Sequence, residues 1–137
     1  MTPNTKSQGG VILIEALIGI LIFSIGILAL IGMQAAAMKN TTDARYRSEA
    51  AFLANQLIGQ MWVDRANLAQ YDDAVAAYPP RAEWRNEVAA LLPGALVPSI
   101  KVVAANNNQV TVLVQWRQPA DPPANPPRKV QMTNWIN

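Results

Sequence analysis

Glu15 is the residue of this sequence that most demands a chemical explanation. It is the fifth residue of a run from Val11 to Met33 whose only other strongly polar member is Ser24. An acidic side chain in a bilayer costs roughly 2.5 to 3.5 kcal/mol near the centre of a helix and less near the interface, and it persists where a partner or a task neutralises it. Other reactive sets are thin. The chain has no histidine and no cysteine, which excludes disulfides, thiolate metal sites, imidazole bases and Ser/His or Cys/His nucleophile pairs. Asp72-Asp73 has the form of a metal or acid/base pair, yet no third ligand is near in sequence, and adjacent carboxylates by a helix end read as solvated. No metal, cofactor or catalytic residue is expected. Trp84 and Trp116 fall on apolar faces and read as core, Trp62 borders a helix stripe, and Trp135 reads equally as core or contact surface.

The elements that must position Glu15 follow from periodicity. With 137 residues, 51% hydrophobic, the chain has room for one small domain. Its formal charge of +2 is too small an excess to mark a nucleic-acid face, so nucleic acid is not an expected partner. The 23 residues from Val11 to Met33 would rise about 35 Å as a helix, enough to span a bilayer. Lys6 ahead of the run favours an N-terminus on the inner side. A cleavable secretory signal, for which Ala35-Ala36-Ala37 supplies small residues, has a core of about 7 to 15 apolar residues; this run is longer and bears a carboxylate. A plain single-pass anchor leaves Glu15 unexplained.

No proline occurs between Pro3 and Pro79, so nothing stops the helix at a membrane surface. Tyr46, Ala50, Leu53, Leu57 and Met61 continue it as one amphipathic stripe, and it is read as running past residue 65. Pro80 opens a second, shorter helix carrying Trp84, Val88, Leu91 and Leu92, which Pro93-Gly94 ends. From Ser99 the period becomes two. Ile100 and Val102, then Val110, Val112, Val114 and Trp116, give a hairpin around Asn106-Asn107-Asn108. Pro119 to Pro127 reads as a loop, and Val130 and Met132 as a third, edge-like strand ending at Trp135. The expected fold class is α+β: a long N-terminal helix, membrane-spanning then amphipathic, packed on a small antiparallel sheet.

Glu15, Gly19, Ile22, Gly26, Ala29 and Met33 recur at steps of four and three, placing small residues and the carboxylate on one helix face. In lipid, small residues admit close helix approach. Glycine is also simply frequent in membrane helices, and no Gly-x-x-x-Gly pair is present, so both readings stand at this point.

Gly10-Val11-Ile12-Leu13-Ile14-Glu15 resembles the type IV prepilin signature, a glycine cleaved on its C-terminal side, four apolar residues, then glutamate. The stretch Ser24 to Gln34 is similar to the same segment in minor pilins of the type IV pilus modification protein PilV family, and Trp84 leading into Leu92-Pro93-Gly94 is similar to that family's downstream landmarks. The resemblance implies that a membrane prepilin peptidase cuts between Gly10 and Val11 on the cytoplasmic side, and that the new amine of Val11 is N-methylated. A glycine obstructs an approaching protease least. It further implies that this amine pairs with Glu15, often across subunits; the helix-packing reading of Gly19, Gly26 and Ala29 rests on their spacing alone. The residue after the cut is usually phenylalanine in this family and here is Val11. The mid-segment proline of many major pilins is missing, which leaves Gly26 and Gly32 as places for local melting on assembly, and the family's frequent C-terminal disulfide is impossible, so packing alone is expected to hold the last segment of the sheet.

The implied organisation is a leader at 1–10, a transmembrane and assembly helix at 11–33, and a periplasmic pilin head at 34–137. The implied protein is a non-enzymatic minor pilin of the inner membrane, N-terminus cytoplasmic, that enters a pilus. Its partners would be other minor and major pilins, the prepilin peptidase, the inner-membrane assembly machinery and membrane lipid. A minor pseudopilin of a type II secretion system shares the leader and helix and is the alternative; a single-pass binding protein unrelated to filaments would show no dependence on the peptidase.

Overall fold

A computed structural model describes residues 9–119 and 121–137. The expected leader therefore lies almost wholly outside the described residues, Lys6 included. By contacts the chain divides into two units, Met1–Thr42 and Asp43–Asn137. One helix, α1 (Gly9–Val63), runs through the division. It is followed by a 3-10 segment (Arg65–Tyr71), α2 (Pro79–Leu91), β1 (Ser99–Val103), a 3-10 turn (Ala104–Asn106), β2 (Gln109–Trp116) and β3 (Arg128–Trp135). The fold is α+β, a long N-terminal helix packed on a three-stranded antiparallel sheet in the order β1-β2-β3.

In the first unit α1 carries its apolar side chains outward. Val11, Leu17, Phe23 and Leu28 are each more than half exposed, and no part of the apolar window, of mean hydropathy 2.8, is covered by protein. This helix is long and apolar enough to cross a membrane. Ser24 does not break the pattern, because its hydroxyl donates to the Ile20 carbonyl one turn back at 2.7 Å, leaving no polar group for lipid to solvate.

The second unit has a core of its own. Ala50, Leu53, Ala54, Leu57, Ile58 and Met61 of α1 join Trp84, Val88 and Leu92 around α2, and the inward residues Ile100, Val110, Val112, Val114 and Trp116 of the sheet. The alternation along β2 is strict, because antiparallel strands with one covered face place every second side chain inward. The Trp84 indole N–H donates to the Leu53 carbonyl at 2.8 Å, tying α2 to α1 inside the core. Tight turns use backbone freedom where it is needed: Asn107 and Asn108 adopt φ of 56° and 51° in the hairpin, and Gly94 sits at φ +54° with the Arg117 carbonyl 2.9 Å from where a Cβ would stand.

The helix ends earlier than its apolar stripe predicts, at Val63 instead of beyond 65. Asp64 is the cause. Its carboxylate accepts from the Asn67 amide at 2.8 Å and from the Tyr71 and Tyr78 hydroxyls, and its carbonyl accepts from the Asn67 N–H at 3.0 Å, so local bonds outcompete another α turn. The end of the chain is held by more than packing. Ile136 is buried, its N–H donates to Asn108, and the Arg65 guanidinium donates to the Asn137 carbonyl.

Arg81, only 4% exposed, fastens the loop between α1 and α2. Its guanidinium donates to the carbonyls of Gln70, Asp72, Val75 and Ala76. We expect Arg81→Ala to lower the stability of the second unit by about 3 kcal/mol, since it strands several carbonyls that share one charged donor. Arg81→Lys should lose roughly half as much, lacking the planar fork. Urea midpoints of the full chain in detergent micelles measure both; equal stability of wild type and Arg81→Ala would remove this role.

Candidate functional site

The residues singled out near the N-terminus lie on one helix. At about 100° per residue, Glu15, Gly19, Gly26 and Ala29 fall within roughly 80° of arc on α1. Gly10 and Val11 open the same helix and are exposed. Among the described residues, nothing forms an ion pair or a hydrogen bond with the Glu15 side chain, and a Cβ placed at Gly10, Gly19 or Gly26 would meet nothing within 4 Å. The missing side chains at Gly19 and Gly26 therefore relieve no crowding within this chain. Gly26 and Gly32 are helical in the single chain, and the local melting expected there belongs to assembly.

In the head, the arrangement is one of fasteners. Asp72 and Asp73 are not free carboxylates, as sequence reading had them. Asp73 accepts the Ile100 N–H at 2.8 Å and Asp72 the Val102 N–H at 2.6 Å, while the Asp73 N–H donates back to the Ile100 carbonyl at 3.0 Å. Together they close the outer edge of β1 as a fourth strand would. Arg85 pairs with Asp73 as well. On the opposite side, Arg128 of β3 bridges Asp121 and Asp43, joining the Pro-rich loop, the sheet and the start of the head's stretch of α1.

Asp64, Tyr71 and Tyr78 form the most coupled group of the head. The Tyr78 hydroxyl, then Asn67 and Tyr71, hold the Asp64 carboxyl below the usual carboxylate range. Burial first, then the Asp64 charge, pushes the Tyr71 hydroxyl well above its ordinary value, and the bond to Asp64 raises Tyr78. A depressed carboxyl stabilises the fold above its unfolded pKa, and that contribution is lost as pH falls through the folded value; a raised phenol contributes below about 10 and loses its effect above. Melting temperature of the full chain in detergent should thus fall below about pH 4 and above about pH 10. Asp64→Asn should melt lower at neutral pH with a flatter acid limb. An acid limb of unchanged slope in that variant would contradict the assignment.

A groove of about 560 Å³ opens between α1 and α2, bounded by Gly59, Val63, Tyr71, Glu83, Trp84 and Glu87. Of its carboxylates, Asp64 accepts from the Tyr71 hydroxyl and Glu87 from the Gln56 amide at 3.2 Å. Trp84 and Trp116 are core, as their positions predict. Trp62 is 40% exposed beneath the Arg65 guanidinium, and Trp135 is 47% exposed. Sequence reading missed Arg81, Asp64 and Arg128; the only trace of them was polar residues beside Pro-Pro pairs and helix ends. The class the structure defines is an α+β fold whose N-terminal helix is long and apolar enough to cross a membrane. No known protein family, curated protein or solved structure matches the chain.

Proposed function

We propose that this chain is a minor pilin that helps initiate or tip a type IV pilus from the inner membrane, acting by assembly and not by catalysis. The observation that carries the reading is Glu15: a carboxylate with no partner among the described residues, on a helix face of small residues, five positions after Gly10. An ammonium group delivered by a cut after Gly10 would supply the neutralisation that no described residue gives. In this reading the leader is removed by a prepilin peptidase, Val11 becomes the methylated N-terminus, and the head stands in the periplasm until the helix enters a filament. The similarity of Ser24 to Gln34 to minor pilins favours a pilus over the pseudopilus of a secretion system.

Glu15→Val tests the pairing. It should insert at least as well as the parent and still be cut, because neither step uses the charge pair, and it should accumulate in the membrane without joining pilin partners. Glu15→Asp, one methylene shorter, should be partly impaired. Co-purification and crosslinking with partner pilins measure this; normal assembly from Glu15→Val would eliminate the charge-pair mechanism.

A further inference from the structure

The two edges of the sheet are treated differently. β1 is closed by Asp72 and Asp73, as described above. Among the described residues, β3 has no such cover. The Ile136 N–H donates toward Asn108, so with the β2–β3 register the even-numbered residues of β3 bond to β2, and the odd-numbered ones turn their N–H and carbonyl outward. Lys129, Gln131 and Thr133 therefore present an open ladder, and no described residue takes their backbone groups. The ladder is bounded at both ends. At Trp135 the outward N–H is taken by the Asn134 side chain at 2.8 Å, and at Pro127 there is no N–H to give. Pro127 and Trp135 each stand four residues from Gln131, so the open stretch is symmetric about that residue.

We infer that β3 pairs antiparallel with β3 of a second copy of this chain, centred on Gln131, to make one continuous six-stranded sheet. A self-complementary edge with symmetric ends fits an isologous contact, in which the same surface serves both partners. The side chains agree with that register. Gln131 lies opposite its own copy, Lys129 opposite Thr133, and Val130 opposite Met132, which extends inward a half-buried apolar row already packed on the core. No like charges face each other. The half-exposed Trp135 indole meets Pro127, which ends the ladder on both sides. Backbone pairing across the edge would supply six hydrogen bonds, two each from the Lys129/Thr133 pairs and two at Gln131. This goes beyond the pilin reading and does not depend on the leader cut, so either can fail alone.

The chain has no cysteine, which allows a clean test on the full chain in detergent micelles. Gln131→Cys should form a disulfide-linked or short-linker dimer on mixing with itself, whereas Lys101→Cys, on the covered β1 side, should not. Gln131→Pro removes only outward-facing N–H groups, so it should keep the wild-type melt and lose at least about tenfold in self-association by sedimentation. A monomeric wild type at all concentrations, a dimer insensitive to Gln131→Pro, or equal crosslinking at residues 101 and 131 would each overturn the pairing. A wild type that stays monomeric and binds only another pilin would also count against it.

Discussion

Replacing Leu57 with aspartate unfolds the head. Leu57 is fully buried in the stripe that α1 contributes to the core, with Leu53 and Met61 a turn to either side and the inward valines of β2 in the same cluster. Losing a buried leucine costs about 2 to 5 kcal/mol. A carboxylate left without a partner in its place adds a further several kcal/mol. The sum approaches the whole stability of a domain this small, which is of order 5 to 10 kcal/mol. The near-ultraviolet circular dichroism of Trp84 and Trp116 should therefore vanish in full-length Leu57→Asp in detergent, while the far-ultraviolet helix signal from the first unit persists. Phe52→Asp is the matched control. Its side chain is 61% exposed on the same helix, and the head should stay folded with a change within about 0.5 kcal/mol. A cooperative, unchanged melt of Leu57→Asp would show that the stripe is not core.

On the prepilin reading proposed above, Gly10→Val leaves the protein full length and in the membrane. Among the described residues, a side chain at Gly10 would meet nothing within 4 Å. What valine would obstruct is the approach of a protease to the backbone. The expected change is all or none: the processed species seen for wild type in a peptidase-positive strain should be missing. Lys6→Glu should matter less, altering orientation at most. A normal mature form from Gly10→Val would contradict the reading.

The elements that periodicity governs were legible in the sequence. The apolar run, the stripe from Ala50 to Met61, the Pro-led second helix and the alternation of β2 all depend on spacing, and each sits where its spacing put it, except that Leu91 of the second helix is exposed while Trp84, Val88 and Leu92 are buried. What escaped notice depends on contacts distant in sequence. Asp64 ends α1 because tyrosines 7 and 14 residues on reach back to it. Asp72 and Asp73 close a strand that begins 26 residues later, and nothing in an acidic pair announces that its acceptors face backbone N–H groups. Arg81 reads as an ordinary first-turn residue until the loop folds its carbonyls around it. At the N-terminus the situation is reversed. Gly10, Val11 and Glu15 were legible only as a motif, and the processing and pairing proposed for them are not things that one folded chain displays.

The mass of the protein extracted from the membrane of a strain with an active prepilin peptidase tests the central claim most directly. The account predicts a chain beginning at Val11, lacking Met1 through Gly10, and heavier by one methylene on its terminal amine. A full-length mass in that strain, or a cut after Ala35 to Ala37 by signal peptidase instead, would contradict it.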